Sequence, residues 1–357
     1  MRDAEPPKPV MSAGRPGILR RLGRRLPIVA LCGLLVICAL EAAVRIDDFL
    51  SEGALPWDRH SLDALFQPTQ YGRGGVPGAR FSKWAINSHG FVGPEPLDGR
   101  ERILVYGSSE AFGLYESPSH AFPRLVQARL ERLLPGRFDV VNLALPGMRI
   151  GHTEYLKHAL DTLPARYVVI YPSPAAYIGV TAPYCGQPTR PVPNAIGLAD
   201  RIRLIRKLDT LLKAHAPAAL LDWMRDWSLQ REIRRVQVVT TLPQSVIDAF
   251  QADLHCVADV IRSHGATPVF VTHATWFRGQ SPQASEPMLR QWRRFYPELA
   301  EPGFLDLEQR ANEVIRREAQ AANAPLVEAA ESMPGGSDYF ADFVHFTDAG
   351  AEHLAGL

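Results

Sequence analysis

The chain has 357 residues, 46% hydrophobic and 22% charged, an ordinary globular balance with length for one large domain plus appendages. Lys and Arg total 39 against 38 Asp and Glu, a formal net charge of +1, so the basic footprint that nucleic acid binding requires is missing. The 11 histidines include no His-Glu-x-x-His, the 4 cysteines no paired motif, and no Gly-rich phosphate loop follows a strand. No metal or other cofactor is therefore expected.

Residues 1–25 read as a basic tail rich in Pro, Gly and Arg, with Arg15, Arg20, Arg21, Arg24 and Arg25 crowding the start of an apolar run. Residues 26–44 carry a single charge, Glu41, and span roughly 28 Å as a helix, marginally enough to cross a bilayer. Arginines before it and Glu41, Asp47 and Asp48 around Arg45 after it keep the N-terminus cytoplasmic and export the rest. An uncleaved single-pass anchor in the inner membrane is expected, with the remainder on the periplasmic or extracellular side. Cys38-Ala39-Leu40-Glu41 is a poor cleavage site, and neither Cys32 nor Cys38 follows the small residue a lipoprotein site needs.

Residues 45–100 hold few periodic segments and many Gly and Pro, the mark of a membrane-proximal connector, with Trp57, Phe66, Phe81 and Trp84 as packing anchors. From residue 101 to 357 strands and helices alternate. Strands are predicted at 103–106, 139–143, 166–171, 267–272 and 325–328, and helices over 120–134, 154–163, 243–264 and 305–322. This alternation predicts an α/β domain with a flavodoxin-like parallel five-stranded sheet and helices on both faces. An insertion at about 180–242 interrupts it. Its amphipathic, locally basic stretch from Leu198 to Val238 fits a solvated face, a lid or a membrane-surface helix. A second tract, Trp276 to Phe304, reads as loop with aromatic packing. Cys185 and Cys256 lie outside the apolar run and could pair, although a free thiol in a helix is the default for Cys256.

Two motifs carry chemistry. The strand at 103–106 ends in GSSEAFG, which fits a plain Gly-Ser turn and also fits a hydroxyl projecting beyond the carboxyl end of a central strand, where open α/β sheets bind ligands. DYFADFVHFTDAG, residues 338–350, puts Asp342 three residues before His345, ahead of a helix start at Thr347 or Asp348. A serine, a histidine that takes its proton and a carboxylate that fixes the imidazole are then all available. Glu110, beside Ser109, reads as a solvated loop glutamate.

These segments resemble the SGNH (GDSL-like) hydrolases: GSSEAFG the first block, VVNLALPG ending at Gly147 the second, and Asp342-Phe343-Val344-His345 the last. INSHGFVGPEP, residues 86–96, resembles the lead-in of membrane-anchored bacterial members. The resemblance implies Ser109 as nucleophile, His345 as base, Asp342 as its partner, and an oxyanion hole from the amides of Ser109 and Gly147. Two departures stand out. Ser108 replaces the family's aspartate, and YPSPAAY, residues 171–177, stands where the third block supplies an oxyanion-hole asparagine. Losing such a donor costs about 3–4 kcal/mol of transition-state stabilisation, and Ser173 or Asn194 could substitute. The implied activity is hydrolysis of an acyl or acetyl ester on a small molecule or on cell-envelope or exported carbohydrate. Transfer of the acyl group to a polysaccharide through the same triad, or a non-catalytic binding module, are the alternatives.

Overall fold

A run of apolar β-formers that must be buried on both faces can be covered only by helices on both sides, and that is how residues 101–327 are arranged. The structure is a computed structural model that describes residues 18–52, 54–57, 60–187 and 202–357. The expected basic tail up to residue 17, and Asn194, lie outside the described residues. Two compact units result, one containing the N-terminal helix and residues 197–211 of the insertion, the other the sheet.

In the first unit, α1 runs over Ile18–Glu52, and its stretch Pro27–Ser51, mean hydropathy 2.4, is long and apolar enough to cross a membrane. The helix passes the expected end at residue 44 because the polar residues that follow are held in helical register by the Glu41–Arg45 ion pair at 2.7 Å, four residues apart. Glu41 also accepts the N–H groups of Arg203 and Leu204, which open helix α5 (Arg203–His215), while Asp48 pairs with Arg203 at 3.3 Å. Trp57, expected as an anchor, is 76% exposed.

The second unit begins with two small antiparallel hairpins, β1 (Phe66–Thr69) with β2 (Gly72–Gly75) and β3 (Arg80–Phe81) with β4 (Trp84–Ala85). Phe66 is buried, and Phe81 and Trp84 are half-buried against the core, as anchors should be. The main sheet follows: β5 (Glu101–Gly107), β6 (Phe138–Asn142), β7 (Tyr167–Tyr171), β8 (Thr267–Val271) and β9 (Leu326–Val327), all parallel, in the order β6-β5-β7-β8-β9. This is the flavodoxin-like order, with its switch point beside β5. Helices α2 (Ser109–Phe112), α3 (Phe122–Leu133) and α4 (Thr153–Thr162) lie between the first three strands in sequence. Helix α6 (Ala218–Ile233) completes the described part of the insertion, and α7 (Gln244–Ser263) leads into β8.

Two expectations are corrected here. Cys256 is not a free thiol: it is disulfide-bonded to Cys185, with the Cα atoms 6.4 Å apart. The tract after Trp276 is not all loop, because Pro282–Phe295 forms helix α8, capped by the Ser281 hydroxyl accepting from the Ala284 N–H. Trp292 of that helix is fully buried, stacked on Phe304 at 4.3 Å and on Phe343 at 5.1 Å. Helix α9 (Glu301–Ala321) precedes β9, and α10 (Ala329–Ser332) and α11 (Asp348–Leu354) close the chain.

Candidate active site

The carboxyl ends of three neighbouring strands converge on one spot. Gly107 pairs with Tyr171 across β5 and β7, and the Leu145 N–H donates to the Gly107 carbonyl. Ser109, Gly147 and Ser173, two residues beyond these three, therefore leave the sheet over adjacent strands. A Cβ on Gly107 would stand 2.8 Å from the Tyr171 carbonyl oxygen and 2.9 Å from Ala111 Cβ, so only glycine lets the strand turn into α2 this tightly.

Ser109 opens α2. Its Oγ lies 2.9 Å from His345 Nε2, and His345 Nδ1 lies 2.7 Å from Asp342 Oδ2. The other Asp342 oxygen accepts the N–H groups of Val344 (2.9 Å) and His345 (2.8 Å), so the carboxylate shapes its own loop as well as the imidazole. An antiparallel bridge between Phe340 and Phe346 closes that loop, and the Phe343 carbonyl accepts from the Trp276 N–H. With Nδ1–H donated to Asp342, Nε2 presents a lone pair to the Ser109 hydroxyl.

No family model matches the chain, and no curated protein does. Solved structures similar to it include esterases and an acylhydrolase. A lipase/acylhydrolase from Enterococcus faecalis is 16% identical, with 72% of this chain and 92% of that one covered at a TM-score of 0.40. An acetylxylan esterase from Geobacillus stearothermophilus is 11% identical, covering 72% and 91% at 0.41. A psychrotrophic esterase from a Pseudoalteromonas species is 9% identical, covering 72% and 93% at 0.39.

Among the described residues neither the Ser109 nor the Gly147 N–H donates to a backbone carbonyl, and Gly147 sits at φ +74°, a left-handed conformation glycine adopts without strain. Ser173, two residues beyond the end of β7 at Tyr171, is half-buried, and its hydroxyl has no hydrogen-bond partner among the described residues. Ser108 is buried and makes no side-chain cap to α2.

Glu110 departs most from expectation. It is 1% exposed, not solvated. Its Oε2 lies 3.1 Å from Ser109 Oγ, and its Oε1 3.3 Å from Nε2 of His273, a histidine at the end of β8 whose Nδ1 is 2.7 Å from Glu308 Oε2. Asn312 holds the His273 backbone from both sides, accepting its N–H and donating to its carbonyl. Burial pushes Glu110 up, but the hydrogen bond and charge of His273 outweigh it and hold the carboxyl at about 2. Burial likewise opposes the charge on His273, and Glu308 with Glu110 reverse the sign and raise it to about 10.

His345 is raised as well. Burial disfavours its charged form, and the Asp342 hydrogen bond with the charges of Glu110, Asp342 and Glu116 more than compensates. Glu116 belongs to the loop after α2, where burial pushes its carboxyl up to about 7 against the Lys83 charge and its hydrogen bonds. That loop is latched to α11, because both Asp348 oxygens accept from Ser117, and it sets the exposed Tyr115 ring 5.4 Å from the His345 ring.

Proposed function

We propose that this protein is a membrane-anchored serine esterase of SGNH type that cleaves acyl, in the first instance acetyl, esters. The observation that carries the reading is the continuous chain Ser109 Oγ, His345 Nε2, His345 Nδ1, Asp342 Oδ2, with both links in hydrogen-bond range. In the reaction His345 takes the Ser109 proton as Oγ bonds the carbonyl carbon, and Asp342 stabilises the imidazolium. The amides of Ser109 and Gly147 hold the oxyanion, and the Ser173 hydroxyl is the candidate replacement for the family's third-block asparagine. Collapse expels the alcohol, which takes the proton from His345. A water that His345 deprotonates then attacks the acyl-enzyme and releases the acid and Ser109.

An envelope location is supported by the span at Pro27–Ser51 and the arginines before it, and the Cys185–Cys256 bond fits an oxidising compartment. Exported or envelope carbohydrate is then the substrate class within reach. The test is release of acetate from p-nitrophenyl acetate by the full-length protein in detergent beside its Ser109→Ala variant. Loss of at least about a thousandfold in rate is expected. Equal rates in two folded preparations overturn the reading. Products formed with oligosaccharides present identify the acyl acceptor as water or a sugar hydroxyl.

A further inference from the structure

Ser109 also touches a second carboxylate–imidazole assembly, Glu110–His273–Glu308, that the esterase mechanism above does not use. Ser109 Oγ carries one proton and faces two acceptors, His345 Nε2 at 2.9 Å and Glu110 Oε2 at 3.1 Å. Glu110 in turn faces His273, and His273 faces Glu308. His273 is fully buried, Glu110 1% exposed and Glu308 6%. Both His273 nitrogens point at carboxylate oxygens, an arrangement that the doubly protonated ring satisfies with both carboxylates ionised. The charge count does not depend on where the proton sits: two carboxyl groups and one imidazole sharing two ring protons carry a net charge of −1. That charge is sealed from water, and His345, once it has accepted the Ser109 proton, acts on Glu110 through its charge.

We propose that Glu110, clamped by His273 and Glu308, is a positioning residue that holds a buried negative charge against the Ser109–His345 pair and so favours the imidazolium formed during acyl transfer. This rests on the serine-esterase reading. It assigns the cluster a purpose beyond packing, since replacing a buried ionic trio with apolar side chains is often neutral or stabilising for a fold.

The groups that face His345 are Asp342 on its own loop, Glu110 from α2, and Glu116 and the Tyr115 ring from the following loop. Those facing Glu110 are His273, His345 and the neutral phenols of Tyr171 and Tyr296. Lys83 acts on Glu116 through its charge, and Asp348 acts on Lys83.

The experiment is the pH dependence of kcat/KM for p-nitrophenyl acetate with the full-length protein in detergent. The acid limb reports His345 losing its proton. Glu110→Gln brings the cluster to neutrality and lowers the limb by about one pH unit. His273→Gln removes the cation and leaves the cluster negative, so the limb stays or rises. Glu116 titrates in the same window, so both variants are repeated in a Glu116→Gln background. A packing role would slow both variants without moving the limbs apart. An unmoved limb in folded Glu110→Gln, or an equal downward shift in His273→Gln, overturns the proposal. Should Glu110→Gln fail to fold or be too slow to read, Glu308→Gln removes the same charge farther from Ser109 and must lower the limb; if it does not, the proposal falls. Ser109→Ala separates the two readings: full activity there defeats the esterase itself, whereas an inactive Ser109→Ala with an unmoved limb defeats this inference alone.

Discussion

His345 and His273 are the same side chain in two solvent regimes. Each has a carboxylate 2.7 Å from Nδ1, Asp342 for one and Glu308 for the other. What differs is the second nitrogen and access to water. His345, with its side chain 14% exposed, turns Nε2 toward a hydroxyl whose proton it can take, whereas His273, at 0%, turns Nε2 toward a second carboxylate. A carboxylate–histidine pair is thus a base only where its free nitrogen meets a neutral donor and substrate can arrive. Closed between two acids it is a fixed charge.

The sharpest way to break the contrast is at the open pair. Asp342→Asn keeps the shape of the side chain but favours the wrong imidazole tautomer, and a loss of about 10⁴-fold in kcat on p-nitrophenyl acetate is expected. At the sealed pair the larger effect falls on stability. His273→Leu leaves Glu110 and Glu308 without their cation, and thermal or denaturant unfolding should register a loss of about 3–5 kcal/mol.

The pH dependence of stability sharpens the difference. The folded value for His273, about 10, lies above its ordinary 6.5, so its contribution is complete below about pH 6.5 and disappears as pH rises toward 10. Glu110, held at about 2 against an ordinary 4.5, contributes above about pH 4.5 and loses that contribution as pH falls toward 2. Melting curves of the parent should decline on both flanks, and the alkaline decline should flatten in His273→Leu. The smallest effect is expected at Ser173, where Ser173→Ala should slow turnover by about 10- to 100-fold if its hydroxyl serves the oxyanion, with KM little changed.

Ser109, Asp342 and His345 were legible because each sits in a local pattern: a strand end closed by glycine, and an acid three residues ahead of its histidine. The sheet was legible for a similar reason, since a buried parallel strand is a continuous apolar run. Glu110 was misread because nothing within a few residues of it announces its partner. His273 is 163 positions away and meets it only once β5 and β8 lie in one sheet. Helix α8 was missed for a different reason: Pro282 and Pro287 read as loop, yet Pro282 stands in the first turn, where proline is tolerated, and the burial of Trp292 among Phe277, Phe304 and Phe343 holds the helix across the interior Pro287.

The bond between Cys185 and Cys256 pins the chain where it leaves the sheet after β7 to the helix that brings it back to β8. Asp253, fully buried, reinforces the pin by accepting the N–H groups of Tyr184 and Cys185 and the Tyr177 hydroxyl. The insertion, lying between two cysteines 71 positions apart, is therefore a graft with a welded base, whereas the α7 residues that close the interval belong to the core. Cutting the weld with Cys185→Ser should cost about 4 kcal/mol of stability by freeing the unfolded chain. Lengthening the graft is a different matter: with its ends fixed, doubling a loop adds only about 0.6 kcal/mol of closure entropy. Sequence added to the insertion itself, between the sheet and α7, therefore costs the fold little.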